Sequence, residues 1–207
     1  MDIWTRTIGA RRSLLETFEQ LDDDQWRVQS LSEGWTVREV LAHLILAARP
    51  PARRYTVAVI RARGSFDNAN HALAVVDARR PVRDLLSRYQ AVLEHRFSPP
   101  GWPAAAPLSD VLLHSLDVRV PLGLPTDQPA TDYVPVMDLL FSRAGRSFTR
   151  GGRPSLRWVA TDDDWSQGDG REVRGTLADL ALTAAGRRAR IDRLEGDGLP
   201  AIRTWLG

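Results

Sequence analysis

The chain has 207 residues, 43% of them hydrophobic, which is ordinary for a globular protein and allows one large domain or two small ones. Its 28 basic residues are all arginine and are nearly balanced by 26 acidic ones; a net charge of +2 lacks the concentrated excess expected of a nucleic-acid binder. There is no cysteine, so disulfides, protein thiol nucleophiles and thiolate metal ligands are excluded.

Residues 3–20 carry Ile3, Ile8, Leu14, Leu15 and Phe18 at helical spacing, which predicts a first amphipathic helix. A polar turn, LDDDQW, follows. Thr36 with Glu39 forms a capping-box signature, with Trp35 and Val40 placed for a hydrophobic staple. A helix is therefore predicted from Thr36 to about Arg49, stopped by Pro50 and Pro51. Residues 52–62 read as helical, GSFDNANH (64–71) as a loop, and Pro81 as the start of a helix carrying Val82, Leu85, Leu86, Tyr89, Val92 and Leu93. The Pro- and Gly-rich stretch 98–107 is a loop, and a helix then runs to the neighbourhood of Pro121–Gly123. Residues 1–125 thus read as an antiparallel helical bundle.

The pattern changes after that. Residues 132–148 predict a connecting helix, LRWVA (156–160) a strand, TDDDWSQGDGREV a hairpin or irregular turn, and LADLALTAAG (177–186) a helix stopped by Gly186. Residues 126–207 are read as a linker helix and a small α+β domain, so the fold class is α+β. MDIWTRTIGARR is soon broken by charge, and VLAHLILAA (40–48) falls short of a membrane span, so a cytoplasmic protein without a membrane partner is expected.

The chemistry concentrates in DVLLHSLDVRV. Asp110 and His114 lie four apart and Asp117 three further on, which places them on one stripe of a helix. On a helical wheel the stripe centres about 160° from Ser115 and Arg119, taken as the solvent face. The stripe is therefore expected to point inward, where a metal satisfies both a carboxylate and a neutral imidazole. His43 flanks the apolar stripe of Val40, Leu44 and Ala47, and a facing helix could bring it against Asp110 and His114. A hydrogen-bonded core histidine and a surface ion pair are the plainer alternatives. Asp117 could accept from a ligand imidazole or pair with a nearby arginine. His71 and His95 are read as solvated, and the seven tryptophans as core and junction residues.

WTVREVLAHL, DVLLHSLDVRVPLG and WSQGDGREVRGTLADLALTAAGRRARIDRLEGDG together resemble the mycothiol-dependent maleylpyruvate isomerase family, within the wider DinB-like four-helix-bundle superfamily. The resemblance implies a divalent metal, usually zinc, held by one histidine of the second helix and an acid-x-x-x-His pair. On this chain those are His43, Asp110 and His114, with aspartate where characterised members can carry glutamate. It further implies mycothiol, or a related small thiol, adding to a conjugated cis double bond; the resulting single bond rotates and the thiol is expelled. The same thiolate could serve S-transfer to another small electrophile. Arg187 and Arg188, in the family-like GRR segment, are candidate partners for a substrate carboxylate; solvated arginines favoured at a helix C-terminus are the alternative. Two other functions remain open at this point: metal-assisted hydrolysis, and a non-catalytic binding or regulatory role.

Overall fold

The computed structural model describes residues 1–126, 128–145 and 152–207. The chain divides into two compact units, Met1–Pro125 and Thr126–Gly207. Among the described residues it is α-rich with one small three-stranded sheet, an α+β protein. No described helix is long and apolar enough to cross a membrane.

The first unit holds α1 (Ile3–Glu19), α2 (Val37–Ala48), α3 (Ala52–Arg61), α4 (Phe66–Asp77), α5 (Val82–Gln90) and α6 (Ala105–Arg119). Helix α1 starts because the Asp2 carboxylate accepts from the N–H groups of Trp4 and Thr5. Helix α2 starts at the capping box: Thr36 is the N-cap, and the Glu39 carboxylate accepts from the Thr36 N–H at 2.8 Å. Helix α1 packs against α5 and α6, and α2 packs against α4, α5 and α6. Leu14, Leu41, Leu85, Leu108, Leu112 and Leu116 are fully buried there. Phe18 joins them, stacked 5.5 Å from Trp26 and edge-on 5.9 Å from Tyr89.

Two expectations are corrected in this unit. Residues 66–71, expected in a loop, open α4. Ser65 is the N-cap, its hydroxyl accepting from the Asn68 N–H, and Asp67 sits in the first turn. The polar residues that read as a loop are those a helix N-terminus prefers. Ser115 and Arg119, expected to face solvent, are 2% and 6% exposed. Arg119 reaches into α1, donating to the Ser13 carbonyl (3.0 Å), the Ser13 hydroxyl (2.8 Å) and the Thr17 hydroxyl (2.7 Å), and also to the Pro125 carbonyl (3.1 Å). Helix α6 is therefore buried from Val111 to Arg119, and Arg119 is satisfied by protein rather than by water.

The second unit holds α7 (Ala130–Phe141), β1 (Arg157–Ala160), β2 (Ser166–Gln167), β3 (Glu172–Gly175), α8 (Leu177–Ala184) and α9 (Leu199–Leu206). The sheet order is β2-β1-β3, with β1–β2 antiparallel and β1–β3 parallel. Helix α7 packs on α8, and α8 packs on β1 and β3. Trp158 is fully buried, edge-on to Phe141 at 5.5 Å. Helix α7 ends at Phe141, short of the expected 148; residues 146–148 lie outside the described residues. Gly186, at φ +89°, ends α8 with a Schellman pair: its N–H donates to the Thr183 carbonyl and the Arg187 N–H to the Leu182 carbonyl, each at 2.9 Å.

Removing the Thr36 hydroxyl loosens half of the capping box. Thr36→Ala is expected to lower unfolding stability by about 1 kcal/mol, read from the urea midpoint at unchanged slope. An unchanged midpoint would show that the cap contributes nothing.

A candidate metal centre in the first unit

His43 is placed by the second turn of α2, and Asp110 and His114 by successive turns of α6. His43 Nε2 lies 3.2 Å from Asp110 Oδ1, and His114 Nε2 lies 3.7 Å from the same oxygen. One donor atom from each of the three residues falls within 4.8 Å of the others. Donors held tetrahedrally about 2.1 Å from a zinc ion stand about 3.4 Å apart, so the two measured separations bracket what a small divalent cation requires.

The tautomer of His114 follows from its other nitrogen. Asp117 is completely buried, and its Oδ2 accepts from His114 Nδ1 at 2.9 Å. An ionised carboxylate only accepts, so Nδ1 would carry the proton; in the neutral imidazole, the form a metal binds, Nε2 then keeps its lone pair on the side of Asp110. This carboxylate–imidazole pair is the arrangement that orients histidine ligands and raises their basicity. His43 differs: its Nδ1 is buried and has no hydrogen-bond partner among the described residues.

The three side chains are not equally enclosed. His43 and His114 are 8% and 10% exposed, while Asp110 is 31% exposed. Burial pushes the Asp110 carboxyl up, but the charge and hydrogen bond of His43, then His114 and Arg11, outweigh it and hold the group at about 2. Arg11 is itself buried, and donates through one nitrogen to the carbonyls of Leu93 (3.1 Å) and His95 (2.8 Å), with Val92 at 3.4 Å.

The structure thus brings together His43, Asp110, His114 and Asp117. Arg187 and Arg188 lie in the second unit, in the turn after α8. Arg187 is half-buried and donates to the Ala185 carbonyl at 2.8 Å; Arg188 is exposed and donates to the Gly207 carbonyl. Arg190, which spacing did not single out, is the enclosed arginine of that segment and pairs with the buried Asp179 at 2.9 Å. His71 and His95 are both exposed, as read, though His71 is on a helix and lies parallel to Trp35, their ring centroids 6.2 Å apart. Trp35 also meets both His43 and His114. Sequence reasoning missed that role, and its one signal was the place of Trp35 directly before the cap of the His43 helix.

Residues 9–98 match the family model of the mycothiol maleylpyruvate isomerase N-terminal domain. The likeness is to that family's N-terminal domain and spans less than half of the chain. The match includes His43 and ends before Asp110 and His114. Two solved structures share the fold: the crystal structure of the mycothiol-dependent maleylpyruvate isomerase, at TM-score 0.65 and 17% identity, and that of a histidine-to-alanine mutant, at 0.65 and 16%. Each alignment covers 94% of this chain and 91% of the other. No curated protein matches the chain.

The Asp110 carboxyl gives a pH signature in chelator-treated protein. A group held near 2 when folded and about 3.9 when unfolded stabilises the fold above the unfolded value, and that contribution is lost as pH falls through about 2. The wild type should therefore lose stability between pH 4 and 2 more steeply than Asp110→Asn, as read by denaturant titration. Parallel curves would show that the histidines do not stabilise the charged carboxylate.

Proposed function

We propose that this protein is a metal- and thiol-dependent isomerase or S-transferase acting on a small electrophile, with mycothiol or a related small thiol as co-substrate. The metal is a divalent ion, zinc by the chemistry of two imidazoles and a carboxylate. The observation that carries this reading is the convergence of His43 Nε2, Asp110 Oδ1 and His114 Nε2, with buried Asp117 behind the second imidazole. The first unit is read as the antiparallel four-helix bundle of the DinB-like superfamily, formed by α1, α2, α5 and α6.

His43, Asp110 and His114 would hold the ion as three protein ligands. A bound divalent ion lowers the pKa of an incoming thiol, so that its nucleophilic thiolate is present at neutral pH. The protein's own groups set the conditions. Asp117 holds His114 in the ligating tautomer, Asp110 stays ionised, and the enclosed imidazoles limit the approach of water. Asp110, the most exposed of the three, marks the side open to solvent. The absence of cysteine is compatible with a thiol that arrives from outside the chain.

Arg187 and Arg188 are proposed as the groups that receive a substrate carboxylate. The Schellman turn fixes the backbone of Arg187, and its half-buried guanidinium makes it the stronger candidate. Arg187→Ala should lower turnover with metal content unchanged; unchanged kinetics would remove it from the site.

The principal test is metal analysis of untagged protein beside a thiol-dependence assay. The wild type should carry about one divalent ion per chain, and His43→Ala and His114→Ala should lose it. Activity on a conjugated cis electrophile should require added mycothiol. Full metal in both variants would overturn the ligand set, and turnover without thiol would favour metal-assisted hydrolysis.

A further inference from the structure

Trp35 is the large side chain against both ligand imidazoles that the reading above leaves without a role. Its ring centroid lies 4.7 Å from that of His43 at 34°, and 5.6 Å from that of His114 at 43°. The two imidazoles are 4.9 Å apart and inclined at 70°. One indole therefore spans two rings that come from different helices.

The backbone of Trp35 is fixed to an unusual degree for a loop residue. Its carbonyl accepts from the Ser30 N–H (2.9 Å), the Ser30 hydroxyl (2.8 Å) and the Gln29 amide (2.7 Å). Its N–H donates to the Ser32 carbonyl at 3.1 Å. Leu31 N–H donates to the carbonyl of Asp117 at 3.0 Å, which ties the same loop to α6. Gly34, at φ +76°, adopts a conformation that side-chain-bearing residues rarely take, and a Cβ there would stand 3.1 Å from His71 Cε1. His71 can therefore close onto the turn and lie parallel to the indole, at an interplanar angle of 7°.

Two further facts point the same way. Trp35 is 7% exposed, yet its Nε1 is buried without a hydrogen-bond partner among the described residues. Such a donor costs about 1–3 kcal/mol, a penalty that phenylalanine or leucine would not carry in a purely packing role. Of the three metal-ligating candidates only Asp110 has appreciable exposure, while the indole lies against the two enclosed imidazoles.

Resting on the metal reading above, we infer that Trp35, braced by His71, is a positioning residue for the metal centre. The indole holds the planes of His43 and His114 against rotation and keeps water from the imidazole side. A guest is thereby confined to the Asp110 side. The apolar shell around a metal site controls solvent access and ligand orientation in this way, and losing such support commonly weakens metal binding by about 10–100-fold.

The probe is cobalt(II) added to chelator-treated full-length protein, because its visible absorption reports coordination number and geometry. Trp35→Phe, which keeps an aromatic ring but not the breadth of an indole, should bind cobalt about tenfold more weakly. Its visible band should be weaker and shifted, as water joins the coordination. Trp35→Leu should do the same to a greater extent. His71→Ala, at an exposed position, should move the band in the same direction by less, and it decides the matter should both Trp35 variants fail to fold. Wild-type affinity and an unmoved band in the folded variants overturn the inference, even where the melting temperature of the metal-free protein falls. Failure of wild type to bind cobalt, or full binding by His43→Ala, overturns instead the metal reading on which it rests.

Discussion

A carboxylate with no access to water must be satisfied inside the protein, and Asp117 is that carboxylate. Its Oδ2 accepts a hydrogen bond from His114 Nδ1 at 2.9 Å, and its main-chain carbonyl accepts one from the N–H of Leu31. The side-chain bond sets the tautomer and rotation of one imidazole. The main-chain bond anchors the loop that ends in Trp35. A buried charge left unpaired is far costlier than an ordinary packing defect, so α6, His114 and the loop before α2 are constrained together. His43 then meets Asp110 because the Thr36 cap starts α2 at a defined residue and puts the imidazole two turns later.

Helix α6 packs on α1 and α2 and is buried along most of its length. Its residues from Leu108 to Arg119 are buried apart from Asp110, including Ser115 and Arg119. Arginine makes this enclosure possible. Arg119 spends its donors on α1 and on the chain leaving α6, while Arg11 reaches from α1 to the carbonyls after α5. Guanidinium groups suit such places, because they remain charged and offer several donors in fixed directions. The two arginines tie α1 to α6 and to the chain after α5.

Much of this was legible in the chain. The Thr36–Glu39 signature located α2 to the residue, and Asp110, His114 and Asp117 announced one polar stripe by spacing alone. The inward direction of that stripe was also read, although through a premise that failed: Ser115 and Arg119 are not a solvent face. A wheel knows only which residues share an angle, and cannot see a serine and a threonine on α1 waiting for a guanidinium. The start of α4 was hidden for a related reason, since Ser, Asp and Asn serve turns and helix caps alike. The parallel pairing of β1 with β3 was out of reach, because register between four-residue strands depends on what packs over them. The meeting of His43 with Asp110 was an expectation from residue chemistry; its distance belongs to the packing of α2 on α6.

The two aspartates of the stripe show how depth divides one residue type between two tasks. They lie seven positions apart, about two helical turns, so both face the same side of α6. His114 sits between them and turns one nitrogen toward each. Asp117, fully enclosed, has Oδ2 committed to Nδ1 and works by holding the ring. Asp110, near the beginning of the helix and partly open, meets two imidazole Nε2 atoms and is held ionised down to about pH 2. Exchanging their depths would leave a tightly held carboxylate where the three donor atoms converge and an exposed one where a ring must be fixed. The order acid, imidazole, acid along α6, with the opening at the first acid, is therefore what allows one short helix to supply both the converging donors and their support.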